Sequence, residues 1–160
     1  MSLALLNISS TIKDLQFVLF SHHSRTDRPR TCTITQANIS TCTGHTDFVW
    51  AVDWSPDRKR VVSASQDKRV QVWDTTTGNP MFIYHGHTAN VWTVAWSHDS
   101  RCISSGGKDT TVQIWDSLTG DHVFLYTHRT GTIWAAYWSP AAQIIASASS
   151  DKTVQVWQAS

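Results

Sequence analysis

Residues 44–74, GHTDFVWAVDWSPDRKRVVSASQDKRVQVWD, predict the fold, because the chain repeats their pattern 42 residues later in residues 86–116, GHTANVWTVAWSHDSRCISSGGKDTTVQIWD. A third and shorter copy follows in residues 128–160. A fixed period of this length marks a structural unit that cannot bury its apolar face alone and must stack on further copies. The sequence therefore predicts a tandem array with repeats at 44–85, 86–127 and 128–160.

All nine tryptophans follow the same period and fall into three sets. We call them the rim tryptophans (Trp50, Trp92, Trp134), the strand-end tryptophans (Trp54, Trp96, Trp138) and the motif tryptophans (Trp73, Trp115, Trp157). The strand-end set closes an apolar strand in phase with Val52, Val94 and Ala136, so we expect it in the core. The rim set lies four residues before the strand-end set.

Each repeat reads as four short antiparallel strands, and the class is all-β. In the first repeat, β-branched and aromatic runs at 49–54, 61–64, 70–73 and 81–84 alternate with turn signals such as Ser55-Pro56-Asp57. Val49 and Val52 both have the character of inward residues, yet an odd number of residues separates them. The first strand therefore needs a β-bulge, which would redirect the side chain of Trp50.

The spaced pairs Gly44-His45 with Trp73-Asp74, and Gly86-His87 with Trp115-Asp116, resemble the marks of the WD-repeat (WD-40) β-propeller family. The resemblance covers residues 38–158 and implies about three propeller blades of four antiparallel strands each. The third repeat departs from the pattern. It has His128-Arg129 in place of Gly-His and Gln158 in place of the aspartate.

Residues 38–43 align with 80–85, so we expect a lone outer strand there, and the propeller segment spans 38–160. Residues 1–37 carry no repeat marks; we leave them unassigned and do not expect a blade. Three blades are too few for a ring, which uses about four to eight. The chain is therefore expected to be a partial propeller of a longer protein or a homo-oligomer that completes a ring by self-association, most simply a six-bladed dimer.

A Ser, a His and an Asp recur in successive repeats, which superficially resembles a hydrolase triad. A triad needs one nucleophile and one cleft, whereas this set recurs beside a motif tryptophan in each unit, so we predict no enzyme. The resemblance implies a structural hydrogen-bond network instead. Its residues are His45, Ser63, Asp67, Trp73, His87, Ser105, Asp109, Trp115, Arg129, Ser147, Asp151 and Trp157. In the third unit, either Arg129 or a shifted His128 replaces the missing imidazole.

The resemblance places the rim tryptophans on the top face of the ring, where partners of such proteins often bind. Tryptophan is enriched at binding hot spots, although packing between blades is the alternative role for this set. The predicted face contains Phe48, Trp50, Gln66, Asn90, Trp92, Lys108, Thr132, Trp134 and Ser150. The function expected is a non-catalytic scaffold that binds a protein or peptide; the alternative is a regulatory or sensor fragment of a larger multidomain signalling protein.

Composition excludes several other classes. With 41% hydrophobic residues, 16% charged residues and a net charge of +1, the chain has no field that would concentrate nucleic acid or an anionic membrane. The basic runs 25–30 and 58–60 are predicted to be solvated loops. Three cysteines without CxxC spacing give no disulfide framework or zinc site, so we predict no metal or cofactor and a reducing, cytoplasmic location. The pairs His22-His23 and His85-His87 have only ligand-like spacing.

Overall fold

The computed structural model describes residues 41–127, 129–140 and 143–159, together with the backbone of 15–16. Strand β1 (Leu15–Gln16) pairs antiparallel with β2 (Thr41–Cys42), and Leu15 lies opposite Cys42. The rest of the segment 1–37 and His128 lie outside the described residues. The basic run at 25–30, Cys32 and His22-His23 lie there as well.

Three sheets follow, one for each repeat, and we call them blades 1, 2 and 3. Blades 1 and 2 have four antiparallel strands each, and blade 3 has three described strands. Blade 1 contains β3 (Val49–Trp54), β4 (Arg60–Ser65), β5 (Val70–Asp74) and β6 (Pro80–Tyr84). Blade 2 contains β7 (Val91–Trp96), β8 (Cys102–Gly107), β9 (Val112–Asp116) and β10 (His122–Tyr126). Blade 3 contains β11 (Ile133–Trp138), β12 (Ile144–Ser149) and β13 (Val154–Gln158).

The predicted bulge is present in the first strand of every blade. Val49 pairs with Ser65, but Ala51 pairs with Ala64, so Trp50 is the extra residue. The same register shift occurs between Val91 and Thr93 and between Ile133 and Ala135. The odd spacing of Val49 and Val52 therefore predicted the bulge correctly between these two residues.

Each blade has two faces, and the blades stack through them. The leading face contains the strand-end and motif tryptophans, and the trailing face lies opposite. The trailing face of blade 1 packs on the leading face of blade 2 in one core cluster, which includes Val62, Val72, Val94, Ile103 and Trp115. The trailing face of blade 2 packs likewise on blade 3, with Val112, Ile114, Ile133, Ala136 and Ile145.

Polar contacts tie the stack at the inner strands and at the bottom turns. The Asp53 carboxylate accepts a hydrogen bond from the backbone N–H of Trp96 at 2.8 Å, across blades 1 and 2. Arg60 corrects one prediction, because it is buried and does not lie in a solvated loop. Its guanidinium lies 4.6 Å from the Trp96 ring and donates to Ser117 Oγ at 3.1 Å. A cation that stacks on an aromatic ring in the next blade loses its solvent but keeps its partners.

The two end faces of the stack differ from the interior. Val52 is 44% exposed, whereas its equivalent Val94 is 4% exposed, because among the described residues no blade packs against the inner strand of blade 1 on its leading face. The strand-end set is likewise uneven: Trp96 is buried, while Trp54 and Trp138 are half-buried. The expectation that all these positions are core was therefore wrong at Val52 and incomplete at these two tryptophans.

Candidate interaction face and the network beneath it

Blade 1 brings its four predicted network residues into one hydrogen-bonded chain. His45 Nδ1 lies 2.9 Å from Asp67 Oδ2, and His45 Nε2 lies 2.7 Å from Ser63 Oγ. The Trp73 indole N–H donates to the same hydroxyl at 2.7 Å. Because the carboxylate can only accept, the network assigns the imidazole proton to Nδ1 and leaves Nε2 to accept from Ser63. The chain ties the loop before the blade to the β4–β5 turn.

This arrangement shifts the pKa values of both ionisable partners. Burial alone would raise the pKa of Asp67, but the hydrogen bonds from the Thr46 N–H, Arg69 and His45 outweigh it and lower that pKa to about 2. Burial lowers the pKa of His45 below its usual 6.5, against the opposing effect of Asp67. A neutral imidazole beside an ionised carboxylate is therefore the resting state of the network.

Blade 2 repeats the network with nearly the same geometry. His87 lies 2.7 Å from Asp109 and 2.8 Å from Ser105, while Trp115 donates to Ser105 at 3.3 Å. Burial alone would raise the pKa of Asp109, but the hydrogen bonds and charge of His87 and the hydrogen bonds from Thr111 together outweigh it and lower that pKa. Two copies of one constellation indicate a structural unit.

Blade 3 replaces the imidazole with Arg129. One terminal nitrogen of the guanidinium lies 3.2 Å from both Asp151 oxygens, and the other donates to the Ser147 carbonyl at 2.6 Å and to Ser147 Oγ at 3.1 Å. The Trp157 indole N–H, unlike those of Trp73 and Trp115, is buried with no partner among the described residues. Arg129 is therefore the partner of Asp151, and His128 lies outside the described chain.

The geometry gives the serine hydroxyls no access to a substrate. Ser63 and Ser105 are both fully buried, and each accepts the N–H of a motif tryptophan. A nucleophile must face a cleft with an oxyanion site near it. His85 is exposed, whereas both ring nitrogens of His87 are hydrogen-bonded within the blade 2 network. Within the described ranges, no three His, Cys, Asp or Glu side chains lie close enough together to hold a metal ion.

The rim tryptophans form one continuous row along the top edge of the three blades. The ring centroids of Trp50 and Trp92 are 4.6 Å apart, and those of Trp92 and Trp134 are 5.7 Å apart. Phe48 extends the row, 6.0 Å from Trp50. Phe48, Trp50 and Trp134 are exposed, whereas Trp92 is half-buried between its neighbours. We call these four residues the aromatic row.

The polar residues predicted beside the row line the same edge. The N–H groups of Gln66, Lys108 and Ser150 donate to the carbonyls of Phe48, Asn90 and Thr132 at 2.8, 2.8 and 2.9 Å. This bond fixes the β-turn of each blade against the start of its first strand. Lys108 and Ser150 are exposed, and Gln66, Asn90 and Thr132 are half-buried. All nine predicted residues therefore lie along one edge.

The sequence analysis missed a second repeating contact, which joins neighbouring blades. Tyr84 donates to Gln113 at 2.7 Å and stacks on Trp115 at 4.9 Å, and Tyr126 makes the same contacts with Gln155 and Trp157. The signal was available, since both the tyrosines and the glutamines recur at the 42-residue period. A Cβ at Gly86 would lie only 2.2 Å from the Tyr84 hydroxyl, which explains the glycine of the Gly-His mark.

At the leading face of blade 1 this contact is missing. The position equivalent to Tyr84 is Cys42, which packs on Trp73 and Val61. The side-chain oxygen of Gln71 is consequently buried with no hydrogen-bond partner among the described residues. Burial raises the pKa of the Cys42 thiol.

Stacked four-stranded sheets with a His/Ser/Asp/Trp network define the class of β-propeller blade proteins. The family model described as WD domain, G-beta repeat, matches residues 36–74, 78–116 and 121–158, which together make up more than half of the chain. The chain therefore belongs to the WD40 repeat family. Within the described segments, no helix is long and apolar enough to cross a membrane.

Individual relatives match over short stretches. A guanine nucleotide-binding protein subunit beta of Arabidopsis thaliana is 54% identical over 37 residues, or 23% of this chain and 10% of that protein. Protein transport protein SEC13 of Pyricularia oryzae is 48% identical over 40 residues, 23% of this chain and 14% of that protein. A solved structure of U3-55K superposes with a TM-score of 0.70 at 22% identity, over 72% of this chain and 37% of that one. The last likeness shows the fold alone.

Proposed function

We propose that this protein is a non-catalytic scaffold that binds a protein or peptide along its top edge. The observation that carries the proposal is the aromatic row, which is continuous across three blades and exposed at both ends. WD40 domains commonly act by binding other proteins, which supports the same class of function. The site is a surface, because its tryptophans come from equivalent positions of three successive blades.

The residues of the row suit a contact surface. An indole presents a large rigid area and loses little conformational entropy when it is covered. Exposed polar groups at Lys108 and Ser150 flank the row and would form the rim of a contact whose centre is apolar. Trp50 and Trp134 are the proposed anchors, and half-buried Trp92 supports them.

The test compares single variants in a binding assay. A partner is first captured from cell lysate and purified. Trp50→Ser and Trp134→Ser should each weaken binding of that partner by about 2 kcal/mol or more, while the urea midpoint of unfolding changes little. Leu118→Ser is the matched control, because Leu118 is 73% exposed and lies in the turn between β9 and β10, outside the aromatic row. Undiminished affinity in both tryptophan variants would refute the top-edge site.

A second candidate is that these blades form part of a larger signalling or regulatory protein. It is supported by the small share of its relatives that the chain spans, about a tenth of the Arabidopsis subunit and just over a third of the U3-55K structure. Sequencing of full-length transcripts tests it: an open reading frame with further repeats favours this candidate, and one that ends at these three repeats counts against it.

We also propose a cytoplasmic location. The free thiols of Cys42 and Cys102 support a reducing compartment. Accumulation of a fluorescent fusion in an oxidising compartment would contradict this proposal.

A further inference from the structure

We propose that a second copy of this chain completes the blade stack by exchange of a strand. The trailing face of blade 3 in one copy packs on the leading face of blade 1 in the other, and β2 of that other copy becomes the fourth strand of blade 3. This inference concerns the end faces and β13, and it is independent of partner binding at the top edge.

The trailing face of blade 3 exposes two valines whose equivalents in blades 1 and 2 are buried. Val154 is 70% exposed, whereas its equivalents Val70 and Val112 are 0% exposed. Val156 is 67% exposed, and Tyr137 on the same face is 65% exposed. In blades 1 and 2 this face is covered by the leading face of the next blade, so the chain itself shows what kind of surface fits it.

The opposite end of the chain offers that surface. The leading face of blade 1 contains Trp54 and Val61 like the other leading faces, and its Val52 is exposed where Val94 is buried. Each end face therefore lacks the surface that the other end presents. Such a contact is heterologous, and two copies related by a two-fold axis make it twice. Six blades result, within the range of about four to eight that closed rings use.

The strand register follows from the repeat. Blade 3 has three described strands, so no described strand pairs with the outer edge of β13. In blade 2, Tyr126 of the fourth strand lies opposite Val112 of the third. One period further, the residues at the equivalent positions are Cys42 and Val154, and Cys42 of one copy should lie opposite Val154 of the other. The two-residue pairing of β2 with Leu15–Gln16 is the competing arrangement.

A single substitution tests the register, because one of the two cysteines is native. Facing residues of antiparallel strands have Cα atoms about 4.5–5.5 Å apart, within the range that a disulfide spans. Val154→Cys should therefore form a covalent dimer under mild oxidation on a non-reducing gel. The double variant Cys42→Ser, Val154→Cys should not. No covalent dimer, or one that survives the loss of Cys42, overturns the register.

Light scattering tests the docked faces in the unmodified protein. The expected mass is that of two chains, and Val156→Arg should lower the dimer affinity at least tenfold without changing the far-ultraviolet circular dichroism spectrum. Val123→Arg is the matched control on the exposed fourth strand of blade 2 and should leave the dimer intact. A monomer at all concentrations, or a ladder of open oligomers, overturns the proposal.

The same samples separate this inference from the proposed function. The Trp134→Ser variant should remain a dimer but bind the top-edge partner more weakly. The Val156→Arg variant should dissociate into monomers, because it changes the end face and not the aromatic row. A dimer without a top-edge ligand, or a ligand bound by a monomer, therefore refutes one proposal and leaves the other standing.

Discussion

Blade 2 and blade 3 are built from nearly the same residue pattern, yet one is covered on both faces and the other on one. Val112 is fully buried in blade 2, while Val154 at the same position in blade 3 is 70% exposed. Each repeat has apolar residues on both faces of its sheet. The difference in burial arises because blade 3 covers the trailing face of blade 2, whereas no described blade covers that of blade 3. In a stacked array, burial is therefore a property of the place in the stack as well as of the residue.

The largest test of this comparison is a charge on the trailing face. Val112→Asp buries a carboxylate without a partner and should cost about 4 kcal/mol or more, which is enough to unfold the protein. Val154→Asp should cost at most about 0.5 kcal/mol when measured in dilute, monomeric protein. Urea denaturation followed by tryptophan fluorescence gives both values. Equal losses would mean that blade 3 is covered in solution even as a monomer.

The second test compares the two kinds of network. Asp109→Ala leaves the His87 imidazole without its acceptor and should cost about 1–3 kcal/mol. Asp151→Ala should cost more than Asp109→Ala, because it leaves the buried guanidinium of Arg129 without its counter-charge. The urea midpoints of the two variants give the order. The reverse order would show that the Arg129 ion pair adds less stability than its burial suggests.

The third test uses pH, because blade 3 has no imidazole at the position of His45. The folded pKa of His45 is lowered, so its contribution to stability is complete above pH 6.5 and is lost as the pH falls below that value. The pKa of Asp67 is about 2, so its contribution is present above pH 3.8 and is lost as the pH falls towards 2. The urea midpoint should fall in both windows. The variant His45→Gln should have a smaller fall in the upper window, and an unchanged curve would contradict the assignment.

The smallest expected effect concerns the leading face of blade 1, at the other end of the stack. Cys42→Tyr places a hydroxyl where Tyr84 and Tyr126 have theirs, and it should donate to the unpaired oxygen of Gln71. One buried hydrogen bond of this kind should stabilise the fold by about 1 kcal/mol. Cys42→Phe is the control, because it supplies the ring without the donor. Equal midpoints for the two variants would show that the oxygen of Gln71 is not available.

Much of the fold could be predicted from the repeat and from parity. The four strands of blade 1 were located to within one residue at each end, and the bulge at Trp50 followed from the odd spacing of Val49 and Val52. The network residues could be listed because they recur, although their roles came from the family resemblance. These features are local or periodic, and such features are visible in one sequence.

The wrong or missing predictions concern contacts between blades. Arg60 was assigned to solvent because it follows two charged residues, but it stacks on a tryptophan of the next blade. Val52 was assigned to the core because its phase is right, but no blade precedes it in the part of the chain that the structure describes. Both outcomes depend on a neighbouring unit, and neither strand phase nor local charge contains that information.

The networks also bear on the order of folding. His45 and Asp67, His87 and Asp109, and Arg129 and Asp151 are each 22 residues apart in sequence. Each network closes a short loop inside its own repeat, and short loops close quickly and at low entropic cost. At about 5–20 residues per second, the ribosome takes roughly 2–8 s to make one repeat, so a network can form before the following repeat exists. We therefore expect the blades to assemble in order from the N-terminal side during synthesis.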